Sequence, residues 1–208
     1  MAILVRRDGD ERAFFSKHWR EVHGGVVSGL PFLRNYVQNH VVAEFGAPAF
    51  QVDGFVEQLW NSAAEMQQGY AIAQTQVQEM LADEPNYLGH GSNYAMLAQG
   101  ALRLADDGAK LIVMVRHRGE TTIADAIMND VKAAPGSQHV SRDDVIAVIA
   151  KMGMKAPPVP VDAFLHCYFE TPEAARAAGA ALAKQAERFA GKDNVAIGLF
   201  QVRTATIV

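Results

Sequence analysis

Hydrophobic positions along the chain follow two rhythms, a two-residue alternation and a 3.6-residue recurrence, which alternate in a regular order. Ala2–Val5 is a short apolar run and predicts a strand. From about Glu11 to Leu30 the residues Phe15, Trp19, Val22, Val26 and Leu30 share one arc at 100° per residue, with Lys17, Arg20, Glu21 and Gly24 opposite. A single helix is expected there, capped by Asp10 and ended by Gly29 and Pro31. Strands are predicted over Leu33–Val42 and Val52–Trp60, separated by a loop with Gly46 and Pro48. Ser62 caps a second predicted helix to about Leu81, with Met66, Tyr70, Ala73, Val77 and Leu81 at helical spacing. Ser92–Leu104 completes a βαββαβ order. Asp106-Asp107-Gly108 reads as a join. After it the order recurs: strand Ala109–Val115, helix Thr121–Ala134, an irregular strand Gln138–Met152, a stiff loop over Pro157-Pro158-Val159-Pro160, strand Asp162–Glu170, helix Pro172–Ala190 with Thr171 as cap, and strand Asn194–Val208.

The two halves echo each other at one ungapped shift of 109 residues: Val52-Asp53-Gly54-Phe55 falls on Val161-Asp162-Ala163-Phe164, Ile3 on Ile112, and Gly89 on Gly198. The fold class expected is α+β, with two ferredoxin-like βαββαβ repeats, residues 1–105 and 109–208, forming an α+β barrel within one chain. Each repeat leaves one sheet face bare of helices, and two bare faces bury each other.

Composition narrows the functions. Half of the 208 residues are hydrophobic, enough for a sizeable core, and the net charge is −4 with Lys and Arg scattered. No basic stripe and no apolar run of membrane-spanning length is present, so neither nucleic acid nor membrane is expected as a partner, and a cytoplasmic location is the default. Cys167 alone forms no internal disulfide and reads as a packing residue. The histidines form no metal-ligating cluster, His18 and His23 diverging on a regular helix, and His117 is expected to be exposed. Glycine-rich nucleotide motifs are missing as well. No metal and no cofactor is therefore expected.

Three blocks carry a resemblance: Phe14-Phe15-Ser16-Lys17-His18-Trp19-Arg20-Glu21-Val22-His23, Leu33-Arg34-Asn35-Tyr36-Val37-Gln38-Asn39, and Asp53-Gly54-Phe55-Val56-Glu57-Gln58-Leu59-Trp60. They follow the pattern of the EthD family: tryptophan and, four residues on, histidine in the first helix, then an Arg-x-Tyr-Val-Gln strand, then an Asp-Gly-x-x-Glu strand. The resemblance covers about residues 1–104 and implies a dimeric α+β barrel fold. The family is named after a component of ethyl tert-butyl ether degradation, its members' own chemical step is generally unassigned, and relatives of the same architecture include small polyketide cyclases, muconolactone isomerases and haem-degrading monooxygenases.

The candidate catalytic residues are His23, Tyr36 and His40, and the candidate ligand-binding residues are Trp19, Arg34, Gln38, Phe55, Glu57, Trp60 and His166. His23 can move a proton, because imidazole titrates near neutral pH; a histidine near a helix C-terminus can equally just bond a loop carbonyl. Arg34, Tyr36, Gln38 and His40 share one face of the second strand, and that face is expected to line the barrel. Glu57 and His166 occupy shift-related positions and are expected to face each other across it. Under the same shift Tyr36, Gln38 and His40 become Val145, Ala147 and Ile149, so the pocket is expected in the first half. These residues suit a cofactor-independent lyase, isomerase or cyclase acting on an apolar, carbonyl-bearing small molecule. The alternatives are a non-catalytic accessory or binding module of a degradation pathway and a metal-free monooxygenase. Pairing of two pseudo-dimers into a homo-dimer is a further possibility.

Overall fold

The computed structural model describes residues 1–48, 50–99, 109–117, 120–149, 157, 161–187 and 195–207. The expected join at Asp106-Asp107-Gly108 lies outside the described residues, as do Pro158-Val159-Pro160 and the ends of several expected elements.

The strands are β1 (Ala2–Arg6), β2 (Asn35–Phe45), β3 (Gly54–Leu59), β4 (Leu88–Gln99), β5 (Lys110–Arg116), β6 (Ser137–Val148), β7 (Ala163–Phe169) and β8 (Ala196–Thr206). The helices are α1 (Arg12–His18), α2 (Gly24–Ser28), α3 (Ala63–Ile72), α4 (Gln74–Asp83), α5 (Thr121–Lys132) and α6 (Pro172–Ala186). All strand pairs are antiparallel and close into one barrel, in the order β1-β3-β2-β8-β5-β7-β6-β4. The seams between the halves are β2–β8 and β4–β6. No helix among the described residues is long and apolar enough to cross a membrane.

Among the described residues three apolar cores follow from strand alternation. Ile3, Val41, Phe55, Met96, Ile112, Met114, Phe164, Phe200 and Val202 belong to a core with no helical member, which therefore fills the barrel. Phe55 packs edge-on against Phe164 and Phe200, with ring centroids 6.3 and 5.3 Å away. The other two cores lie outside the barrel, under the helices of each half.

Several expectations change. The first helix is not continuous: α1 and α2 are joined by a π-helical turn over Trp19–His23. Asp10 does not cap it; its carboxylate accepts from Arg7 Nη2 at 3.0 Å. The second helix breaks at Ala73, where ψ is 38°. The caps at Ser62 and Thr171 form as expected, each hydroxyl accepting a backbone N–H at 3.1 Å, from Glu65 and Ala174. His117 is buried, and its N–H donates to Asp162.

The shift of 109 holds where Phe55 and Phe164 both point inward, but not elsewhere. Phe55 faces Asn39 on β2 whereas Phe164 faces Asp143 on β6, a separation of 143 − 39 = 104. Ile3 faces Tyr94 whereas Ile112 faces Phe200, a separation of 106. The match of Gly89 to Gly198 is thus not a positional one, and the positions corresponding to Tyr36, Gln38 and His40 are Val140, Arg142 and Asp144.

Candidate functional site

The expected orientation of β2 is reversed. Val37, Asn39 and Val41 point into the barrel, and Tyr36 joins the helix-side core with Trp19. Beneath the helices of the first half, against the outer face of the sheet, lies a cavity of about 350 Å³. Its sheet side is made by Leu4, Tyr36, Val56 and Gln58, and its helix side by Trp19, His23, Val27, Met66, Tyr70 and Met80. The break between α3 and α4 bends the covering layer there. Trp60 also lines it, 5.8 Å from the Tyr70 ring. A mostly apolar hollow of this size with few polar groups fits a small organic ligand.

Trp19 enters this layer because Gly54 lies beneath it. A Cβ at Gly54 would sit 2.5 Å from Trp19 Cζ3, which gives the Asp-Gly pair of the third strand a physical reason. Asp53 meanwhile accepts from Arg6 N at 3.0 Å and pairs with the Arg6 and Arg12 side chains, fixing the strand entrance.

The hydrogen bonds around Trp19 have a defined direction. Gln38 Nε2 donates to the Trp19 carbonyl at 2.9 Å and to Tyr36 Oη at 3.2 Å. A carbonyl only accepts, so the amide orientation is set and Gln38 Oε1 faces His40 Nε2, which donates at 3.1 Å. Trp19 Nε1 also donates to Tyr36 Oη, at 2.9 Å. The Tyr36 oxygen thus accepts two N–H groups, and its own proton is left for another acceptor. Burial raises the Tyr36 hydroxyl's pKa further than the bonds from Gln38 and Trp19 lower it, so the group stays protonated.

The Trp19 carbonyl that receives Gln38 also receives the Gly24 N–H, five residues on. This is the π turn, and its wider winding brings residues five apart onto one face. The expectation that His18 and His23 diverge is therefore corrected: both reach Asp83 at the end of α4. His18 Nε2 lies 2.8 Å from Oδ1 and His23 Nδ1 3.1 Å from Oδ2, with Tyr87 packed against both rings. Asn86 Nδ2 donates to Asp83 as well. Burial works to raise the Asp83 carboxyl's pKa, but the bonds from His23, His18 and Asn86 together hold it well below the usual carboxylate range. Asp83 stays ionised, fixes His23 Nδ1 as a donor, and leaves Nε2 as the nitrogen able to address the cavity.

Other sequence candidates fall elsewhere. Phe55 is barrel core and not cavity wall. Arg34 precedes β2 and is exposed, outside the cavity lining. Gln38 and His40 support the cavity from behind without lining it. Glu57 and His166 do face each other inside the barrel, His166 Nδ1 lying 3.6 Å from Glu57 Oε1. Lys110, which sequence reasoning passed over, donates to the same oxygen at 2.5 Å and to Asn39 Oδ1 at 3.2 Å. Burial of Glu57 opposes its ionisation, yet His166 and Lys110 bring its pKa down to about 2. Among the described residues the barrel interior is therefore occupied by aromatic packing and a paired ionic group, and the cavity beside Tyr36 lies on the helix side of the sheet and not, as expected, inside the barrel. Cys167 is buried on the opposite face of β7, and burial pushes its thiol up to about 12, as suits a packing residue. Among the described residues no group of three or more His, Cys, Asp or Glu is arranged to hold a metal.

Comparison with known proteins covers both the site and the fold. The whole chain is similar to the crystal structure of "Putative monooxygenase" from Fusobacterium nucleatum, with a TM-score of 0.50 at 9% identity over 97% of this chain and 89% of that one. This likeness concerns the fold. No curated protein matches the chain. Residues 7–91 match the EthD domain model, and that stretch contains His18, Trp19, His23, Tyr36, Gln38, His40 and Asp83.

Proposed function

We propose that the helix–sheet cavity binds an apolar, carbonyl-bearing small molecule and that His23 moves a proton on it. The observation that carries this reading is the meeting of a carboxylate-held imidazole and a doubly N–H-bonded tyrosine in one apolar hollow. In that reading His23 Nε2 removes a proton from the carbon beside the carbonyl. Tyr36 donates its own proton's hydrogen bond to the oxygen as negative charge develops there, and Trp19 and Gln38 hold the hydroxyl in place. Return of the proton at another carbon is isomerisation; loss of a leaving group is a lyase step; attack by the carbanion on a second carbonyl closes a ring. This chemistry runs on the chain's own residues. The halves are read here as two βαββαβ repeats, the second without the machinery.

The test uses a panel of cyclic and aromatic ketones in deuterated water. Trp19 and Trp60 both line the cavity, so quenching of intrinsic fluorescence reports binding. The protein should bind some members and wash deuterium into the carbon beside the carbonyl. His23→Ala should keep binding and lose exchange by about 10²-fold or more. Equal exchange in wild type and variant would remove His23 from the chemistry.

One observation favours a second reading, a non-catalytic binding or accessory module: Asp83 is shared by His18, His23 and Asn86, which also describes a clasp joining the first helical segment to α4. Under that reading His23→Ala lowers stability and leaves the behaviour of bound ketone unchanged. Oxygen consumption with bound ligand would support the metal-free monooxygenase reading instead.

A further inference from the structure

Behind the cavity, on the other side of the Trp19–Gln38–His40 bonds, the surface carries a groove of about 600 Å³ between α1, the π turn and the paired strands β2 and β8. Arg12, Lys17, Arg20 and Arg203 line it, against a single acid, Glu21. Arg12 is engaged with Glu44 at 2.6 Å and Asp53 at 3.1 Å, and Arg20 reaches Glu21 at 3.1 Å from an exposed position. Arg203 stands directly opposite His40 in the β2–β8 register, and neither it nor Lys17 has an acidic partner among the described residues. Four cationic side chains from three elements thus converge on one groove.

His40 forms part of its lining. The ring is 7% exposed, and its Nδ1 is buried with no hydrogen-bond partner. Because Gln38 Oε1 takes the proton on Nε2, Nδ1 of the neutral ring is a bare lone pair. A buried polar atom without a partner is unfavourable, and such atoms in folded proteins commonly mark a missing ligand or water. Here the unsatisfied nitrogen and the Arg203 guanidinium, which lacks an acidic partner among the described residues, have one common remedy, with Arg20 beside them held only by an exposed pair with Glu21. An oxyanion between Arg20 and Arg203 neutralises their charge. It accepts from Nδ1–H once the ring takes up a proton, or, if it carries an O–H of its own, donates that O–H to Nδ1.

We propose that this groove is a second ligand site, distinct from the cavity, which takes the oxyanion end of a small molecule, a carboxylate or a phosphate monoester, between Arg20 and Arg203 with His40 as its buried contact. The groups facing the ring support this. Burial first, and the charges of Arg20 and Arg203 after it, push the His40 imidazole down to about 4. Trp19 packs on one side, with ring centroids 4.5 Å apart, and Lys17, Arg12 and Glu21 line the same groove. An anion that screens the two guanidiniums raises that value, so binding through Nδ1–H is accompanied by proton uptake. Occupancy would also reach the cavity, because His40, Gln38 and Tyr36 are consecutive members of one hydrogen-bond chain.

The test titrates the whole protein with inorganic phosphate and, separately, with acetate, following heat by calorimetry and the His40 ring by NMR. At least one anion should bind, shift the His40 ring signals and bind more tightly at pH 5.5 than at pH 7.5. Arg203→Glu and Arg20→Glu, both at exposed positions, should each weaken binding tenfold or more, with Lys132→Glu on α5 unchanged. A preference for phosphate or for acetate identifies which oxyanion the groove takes. The proposal is overturned if neither anion moves the His40 signals, or if both charge reversals leave the dissociation constant within twofold of wild type.

Discussion

The two halves of the barrel carry the same kind of helix layer on their outer faces, yet the first holds an apolar cavity under its helices while the second is closely packed between α5, α6 and the sheet and is open only along one side of α6, in a groove of about 700 Å³ beside the ends of β2 and β8. In the second half, α5 and α6 lie on β5, β7 and β8 with Leu111, Val113, Ile127, Leu165, Leu182 and Leu199 interdigitated. The void left between Ile127, Leu182 and Leu199 is about 10 Å³. In the first half the corresponding space is about 350 Å³. The difference follows from side chains. Helix α6 is unbroken and presents Ala175, Ala178 and Gly179 inward, so its backbone comes close to the sheet. The first half covers its sheet with α3 and α4, broken at Ala73, and with the large rings of Trp19, Tyr36 and Tyr87, the first two bonded through their polar atoms. Small residues close a layer; aromatic residues tied by directed hydrogen bonds hold it open.

The largest effect is expected at Asp83. If it serves to orient His23, Asp83→Asn should cut ketone deuterium exchange by about 10²-fold, because an amide no longer fixes the imidazole proton on Nδ1. The equivalent change on the solid side, Asp125→Asn in its exposed pair with Arg142, should leave exchange unaltered. An Asp83→Asn protein that exchanges at the wild-type rate would reduce the dyad to a clasp.

Acid should weaken the hollow layer first. The folded His40 ring titrates at about 4 against 6.5 in the unfolded chain. The unfolded chain therefore binds the extra proton across that window, and stability falls as pH drops through it, by up to about 3 kcal/mol. Glu57 acts lower down, with about 2 in the folded state against 4.5 unfolded. Its contribution is complete above 4.5 and is lost as pH falls towards 2. Urea midpoints at pH 7, 5 and 4 should decline in the wild type and stay much flatter between pH 7 and 5 in His40→Gln. Parallel curves for the two proteins would contradict the assignment.

Gly54→Ala tests how Trp19 is seated. The added methyl overlaps the indole, and a loss of about 2 kcal/mol is expected, with a change in the Trp fluorescence spectrum. The smallest effect is a difference between truncations. Leu182→Ala opens a void in the solid layer and should cost about 3 kcal/mol, whereas Met80→Ala enlarges an existing hollow and should cost roughly 1 kcal/mol less. Denaturant midpoints measure both; equal costs would mean that the first-half layer is as tightly packed as the second.

The mixed α+β barrel was legible in the chain because eight strand runs and their intervening amphipathic stretches alternate plainly. The residue group Trp19, His23 and Tyr36 was legible too, from the EthD pattern. The face of β2 was not. In a closed barrel covered by helices both faces of a strand are buried, so alternation of polar and apolar residues carries no sign of inside or outside. Tyr36, Gln38 and His40 are polar because they bond to one another under a helix, not because they are wet. The π turn was hidden because the apolar arc from Phe15 to Leu30 reads equally well as a regular helix. The signal was there in a second form: two histidines five residues apart suit the wider winding. Asp83 and Lys110 stand far in sequence from the groups they hold, and no local period marks them. The basic groove likewise joins Lys17 and Arg20 to Arg203 only through the β2–β8 seam.

A crystal soaked with a small brominated aromatic ketone tests most directly whether ligands enter between the sheet and the first-half helices. Anomalous density for bromine is expected among Trp19, Val27, Trp60 and Met80, with the ketone oxygen within hydrogen-bond distance of Tyr36 Oη. Bromine inside the barrel beside Phe55, or a ketone that leaves Tyr36 unengaged, would contradict it.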